Sequence, residues 1–244
     1  MPAAKSAAAL HAPAIATPPS ATDQVFEALR RAIINGQLGD GTPLRQEELA
    51  RQFATSRIPV REALTRLEQH GLVAIKRFHG YTVAAHSRAD IEEICRFRAL
   101  VEGELIQRAV QQLSPAALAE AKKRCQAFAK ESDAARWADL NRDFHCALYE
   151  QAQMPYHLQA VVAALDKTER YLVDQLQLTA DARKQARDEH QAILDACAAG
   201  DGKAAAKLTR QHILGACERF GAFMDEQQLA AEIQLQTRPR LRAR

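Results

Sequence analysis

The run from Thr55 to Gly71, TSRIPVREALTRLEQHG, constrains this chain most, because its pattern closes only as a short basic helix with both ends marked. Ser56 is placed to cap the orphan N–H groups, Pro59 falls in the first turn where its missing donor does no harm, and Gly71 closes the helix. Val60, Ala63, Leu64 and Leu67 recur at helical spacing and form one apolar stripe. Arg57 and Arg61 project together beside that stripe. A helix held by one face and offering guanidinium forks from the next suits guanine edges or phosphates in the major groove.

The residues before it complete a helix-turn-helix unit. Asp23 to Asn35 carries Val25, Leu29 and Ile33 on one face and stops at Gly36, and GDGTP over 39–43 is a turn by composition. Gln46 to Phe53 predicts a short helix with Leu49 and Phe53 inward, joined to Ser56 through Ala54 and Thr55. After Gly71, Leu72 to Lys76 and Tyr81 to Ala84 are strand-like runs separated by Arg77, Phe78, His79 and Gly80. A glycine at the end of so short a connection, beside Lys76 and Arg77, predicts a basic wing able to lie along a groove.

Charge agrees with that reading. The formal net charge is only +3, but Arg57, Arg61, Arg66, Lys76 and Arg77 face just Glu62 and Glu68 between residues 57 and 80. Positive potential is therefore concentrated on the suspected reading helix and wing. With 244 residues, 47% of them apolar, the chain has enough material for two packed domains. The five cysteines are odd in number, widely spaced and form no CxxC pair, which predicts reduced, buried thiols in a cytoplasmic protein. No run approaches a membrane span, and the Ala- and Pro-rich first twenty-one residues lack the shape of a signal peptide. Gln236 to Arg244 holds four arginines and no acid, a basic tail.

From about Arg88 the pattern becomes helical throughout. Helices are predicted at Ala89 to Leu113, Pro115 to Glu131, Asp133 to Gln153, Pro155 to Leu178, Asp181 to Ala199 and Asp201 to Asp225, joined by connections short enough to force antiparallel neighbours. Arg98 and Glu102 lie on the buried face defined by Ile91, Ile94, Val101, Leu105 and Ala109. Two readings stand: an internal ion pair, or an anion clamp for a small carboxylate. Three further helices each point an imidazole inward: His145 with Asn141 one turn before it, His190, and His212. Each alone reads as a hydrogen-bonded core histidine; together they read as one shared site. Three neutral imidazoles with an oxygen donor suit zinc, nickel or a similar divalent ion with positions left open. With unperturbed values near about 6.5, their protonation would compete with the ion between roughly pH 7 and 5.

The first half resembles the DNA-binding half of the GntR family of bacterial transcription regulators. Leu44 with Glu47 to Ala50, Ser56 to Leu64, Arg66 to Glu68, Gly71 to Val73, and Gly80 with Val83 all fall at that family's spacing. The resemblance implies a winged helix in which Arg45, Ser56, Arg57, Pro59, Arg61, Thr65, Lys76, Arg77, His79 and Gly80 meet DNA. The second half resembles the FCD effector domain of the FadR subfamily, in its shorter VanR-like version. The resemblance rests on Ile94, Arg98, Leu100 and Glu102, on Phe144, His145 and Leu148, on Glu189, His190 and Ile193, on Gly200, Asp201 and Ala205, and on His212. It implies a metal held by Asn141, His145, His190 and His212, and an effector acid met by Arg98 and Glu102. Asn141 departs from the family pattern, which commonly has Asp there; an amide oxygen can ligate but brings no charge.

The chain thus reads as mainly α, an N-terminal winged helix-turn-helix domain followed by an antiparallel six-helix bundle. The expected divisions are a disordered tail over 1–21, the DNA-binding domain over 22–86, an effector-binding and dimerisation domain over 87–225, and a basic tail over 226–244. The expected function is that of a homodimeric repressor in the cytoplasm, bound to double-stranded operator DNA and controlled by a small carboxylic acid. Two rival classes stand beside it. A metal-dependent enzyme would turn over candidate acids, and an effector-independent DNA-binding protein would hold its operator whatever acid is present.

Overall fold

The computed structural model describes residues 19–77, 80–178 and 180–237. Helix α1 (Ala21–Ile34) starts at Ser20, whose hydroxyl accepts the Asp23 N–H while the Asp23 carboxylate accepts the Ser20 N–H, so two orphan donors are satisfied reciprocally. Helix α2 (Gln46–Gln52) and helix α3 (Arg57–Gln69) follow, joined by a turn in which Ala54 takes a positive φ of 48°. Ser56 stands at the N-cap of α3, but its side chain makes no capping bond, contrary to expectation. The stripe of Val60, Ala63, Leu64 and Leu67 is fully buried against Val25, Phe26, Leu29 and Ile33 of α1. Strands β1 (Val73–Lys76) and β2 (Gly80–Val83) pair antiparallel, Val73 opposite Val83 and Lys76 opposite Gly80.

The rest of the chain is a helical bundle. Helix α4 (Arg88–Val110) opens on a second reciprocal cap between Ser87 and Asp90, and α5 (Pro115–Lys130) opens on Ser114 with Pro115 in its first turn. A continuous helix from Asp133 to Gln153 does not form. Asp133 instead accepts the Ala135 N–H and starts a 3₁₀ turn over Ala134–Arg136, after which α6 runs Trp137–Tyr149 and tightens into a second 3₁₀ turn over Glu150–Ala152. The exit is forced by Pro155, which disfavours helical geometry at Met154, and Gln153 turns the chain in the left-handed region at φ 55°. Helix α7 spans Pro155–Leu178, α8 Ala180–Ala198 and α9 Gly202–Thr237. The last helix continues well past Asp225, so residues 226–237, expected in the basic tail, are helical.

Helix α9 lies along α4, α5 packs on α6 and α8, and the core gathers Leu105, Ile106, Phe144, Leu148, Tyr149, Leu165 and Ile193. Gly202 is required where α9 begins, because a Cβ there would sit 2.9 Å from the Gln107 carbonyl oxygen of α4. All five cysteines are free. Among the described residues no helix is long and apolar enough to cross a membrane. The two halves of the molecule meet where α1 and the end of α3 lie against α7.

Candidate DNA-reading face and candidate metal centre

Helix α3 presents Arg57 and Arg61 to solvent on the side away from its buried stripe. Arg57 is held by an exposed ion pair with Glu47 of α2 at 2.9 Å, and Arg45 similarly meets Glu48 at 3.0 Å. Both pairs are exposed and weak enough to exchange for phosphates. Thr65 does not stand free. Its hydroxyl donates to the Arg61 carbonyl at 3.0 Å and lies 3.3 Å from the Tyr81 hydroxyl, tying α3 to the wing. Ser56, Lys76, Arg77 and Gly80 are exposed and Pro59 is half-buried. Gly80 has φ +69°, the geometry that lets the wing turn. His79, expected in the wing, lies outside the described residues. An open groove whose lining includes Arg45, Arg51, Arg57, Gly80 and Tyr81, with Glu47 and Glu48 among the arginines, joins α2, α3 and the wing on one side.

In the bundle the structure brings the three histidines together. His145 comes from α6, His190 from α8 and His212 from α9, and one ligand nitrogen of each lies within 4.8 Å of the others. His145 and His190 are fully buried and His212 is 6% exposed. His145 Nε2 and both ring nitrogens of His190 have no hydrogen-bond partner among the described residues. An orphaned buried polar group costs about 1–3 kcal/mol, so such a cluster invites a ligand.

Two other nitrogens, His145 Nδ1 and His212 Nδ1, have partners. The Tyr149 hydroxyl donates to Glu102 at 2.8 Å and lies 3.2 Å from His145 Nδ1, and Glu189 meets His212 Nδ1 at 2.6 Å. Each contact engages Nδ1 and leaves Nε2 of the same ring for an ion, the arrangement that orients metal-bound imidazoles. Tyr149 was not legible as part of the site, since a buried tyrosine on an apolar helix face reads as core. Glu189, adjacent to His190 in sequence, belongs through its contact to His212 instead.

Burial pushes the His145 ring well below its usual range, helped by His190, His212 and Arg98 nearby. His190 is depressed likewise, by burial and then by His212. The expected titration between pH 7 and 5 is thus revised: these two rings stay neutral to lower pH than free imidazole.

Asn141 is buried one turn before His145 and lines a narrow cavity with Arg98, Thr168 and His212. The apolar part of that cavity is Ile91, Tyr171, Ile213, Ala216 and Phe220, with Cys95 and Cys217. Arg98 is paired: its Nε donates to Glu102 at 2.6 Å and its Nη1 to the Thr168 hydroxyl at 2.9 Å. Burial opposes the charge on Arg98, but the Glu102 carboxylate beside it outweighs burial and holds it protonated. The internal pair and the cavity-lining position therefore coexist.

Comparison with known families decides the identity of the two halves. The model described as "Bacterial regulatory proteins, gntR family" matches residues 21–83, and the model described as "FCD domain" matches residues 93–215. The chain belongs to the GntR family of DNA-binding transcription regulators, with an FCD domain. Among its GntR relatives is the HTH-type transcriptional repressor GlaR of Escherichia coli, 29% identical over 201 residues covering 78% of this chain and 90% of that one. The solved structure of E. coli McbR/YncC aligns with a TM-score of 0.72 at 25% identity, covering 85% of this chain and 98% of that one. A GntR family member from Pseudomonas syringae aligns at 28% identity and TM-score 0.54, over 86% and 89% of the two chains. The families and relatives matched are transcription regulators and not enzymes, so the rival reading as a metal-dependent enzyme falls away.

Proposed function

We propose that this GntR regulator is a cytoplasmic, homodimeric repressor whose hold on operator DNA is set by a small carboxylic acid bound at a metal site in the FCD domain. The observation that carries the reading is the set of orphaned nitrogens on His145 and His190, aimed into a cluster with His212. Asn141, His145, His190 and His212 would hold zinc or nickel, which when bound supplies an open coordination position for a carboxylate. Tyr149 and Glu189 keep two of the rings oriented. Arg98, steadied by the Thr168 hydroxyl, offers donors on the cavity wall, with Glu102 balancing the guanidinium, while Tyr171, Ile213 and Phe220 favour an acid with a compact apolar body.

Arg57 and Arg61 would enter the major groove, supported by Arg45, Ser56, Pro59 and Thr65. Lys76, Arg77 and Gly80 would lie along the backbone. A repressor reading is supported by the name of the E. coli relative GlaR. Dimerisation is supported by Phe97, Leu100 and Leu214, large apolar side chains left 41%, 69% and 38% exposed on the paired helices α4 and α9.

Metal analysis of the purified protein tests the site. Wild type should carry a divalent ion, His190→Ala should nearly abolish it, and Asn141→Asp should tighten binding through added negative charge in a desolvated place. Wild type without stoichiometric metal, and Asn141→Asp gaining none, would leave the histidines as a polar pocket for the acid alone.

A further inference from the structure

The contact between the reading head and the bundle is built from buried charge. Arg30 of α1, 4% exposed, donates through Nε to Asp166 at 2.6 Å, through Nη2 to Glu169 at 2.8 Å and through Nη1 to Asp139 at 3.1 Å. Asp166 and Glu169 of α7 are themselves 0% and 1% exposed. Arg142 of α6 donates to both Glu169 oxygens at 2.9 Å and also to Asp166. His70, at the end of α3, meets the other Asp166 oxygen at 2.6 Å. Around this core, Arg170 pairs with Asp40 and the Lys167 chain lies over Gly71. Among the described residues, Ile34 with Ala138 is the one apolar cluster that spans both halves.

An interface of this composition opens without exposing a hydrophobic core, so its arrangement is reversible in a way an apolar seam is not. It also adjoins the histidine site through neighbouring residues on two helices. On α6, Asn141 faces the cavity and the next residue, Arg142, holds the interface. On α7, Thr168 bonds Arg98 while its neighbours Lys167 and Glu169 face the head. Movement of either helix by the width of a coordination bond must reach the charges that seat α1.

We propose that Arg30, Arg142, Asp166 and Glu169 form an ionic latch that fixes the placement of the DNA-reading head, and that α6 and α7 carry the state of the cavity to it. The second half of this inference rests on the histidine site proposed above. The latch works because the charges balance: two guanidiniums, with His70 at the edge, face two fully buried carboxylates, with Asp139 toward solvent. Losing one partner strands another in a dry place, so the head is either seated or released.

Two measurements on the full-length protein test it. Spin labels on non-natural residues at exposed Gln52 and Ala116, in labelled chain diluted into excess unlabelled protein so that each dimer carries one labelled protomer, report the distance between head and bundle. Wild type should give one narrow distribution, and Arg30→Gln combined with Asp166→Asn should broaden it and raise amide exchange in α1 at least tenfold. A distribution that superposes on wild type overturns the latch. If the double variant loses its helical circular dichroism, Arg30→Lys, which cannot span both carboxylates, carries the same test. For the coupling, zinc ions alone are the probe. Zinc should change α1 exchange several-fold in wild type and not in Arg142→Gln with equal zinc bound; a retained response in Arg142→Gln overturns the coupling. A wild type that binds neither zinc nor nickel removes the metal-site reading and the coupling with it, while the distance measurement still judges the latch.

Discussion

Two buried imidazoles tie the stability of this fold to pH. His145 and His190 are held neutral by burial first, so their folded values lie below the roughly 6.5 of an exposed ring. A depressed folded value means stability is complete above the unfolded value and is lost as pH falls through the folded one. Metal-free protein should therefore melt at progressively lower temperature as pH falls from about 7 to 5. A flat melting profile over that range would contradict the burial described. Arg98 allows a second test. Because Glu102 is 0% exposed and paired with it, Arg98→Leu should lose about 3–5 kcal/mol in denaturant melts, and adding Glu102→Gln should recover much of that. The histidines were legible because each one's helix face is a local property of its neighbours. Thr168 was not, since Arg98 lies 70 residues away, and Tyr149 was not, since the Glu102 carboxylate that fixes its hydroxyl beside His145 lies 47 residues away.

At the scale of elements, α3 is the piece read most directly, because its stripe, its proline and the glycine behind it act within one helix. Gly71 does close it, at φ +73°, with the Lys167 chain occupying the space a Cβ would need. Arg61→Ala should weaken operator binding by roughly 1–3 kcal/mol in fluorescence titrations with an operator duplex selected by the wild-type protein. Leu64→Ala should instead cost about 2–5 kcal/mol of stability, seen in urea melts, since that side chain is fully buried. The break of α6 escaped the periodicity argument. Apolar spacing runs on through a 3₁₀ turn, and what ends the helix is backbone chemistry at Asp133 and before Pro155. The extent of α9 is not legible for a related reason: Glu226 to Thr237 carries no glycine or proline to end the helix, and the four arginines that suggest a tail begin only at 238.

For the whole molecule, a twofold dimer should protect a pseudo-palindrome with half-sites about 34 Å apart or a related spacing. Leu100→Glu, on the exposed ridge of α4, should shift sedimentation from dimer to monomer and abolish that paired footprint together. A variant that stays dimeric would place the contact elsewhere. The seam between head and bundle was invisible in sequence, since Arg30 sits beside the exposed Arg31 and its partners lie 109 to 139 residues on. A charged residue on a helix reads as solvated until the opposing surface is known. That seam also sets what a foreign head would need in order to be grafted here. The body asks for few side chains: an arginine at the position of Arg30, an apolar residue at that of Ile34, an imidazole at that of His70, an acid at Asp40, and no side chain at Gly71. Heads that carry those features and read other operators are interchangeable parts, and those that lack them would ride on this body without a fixed orientation.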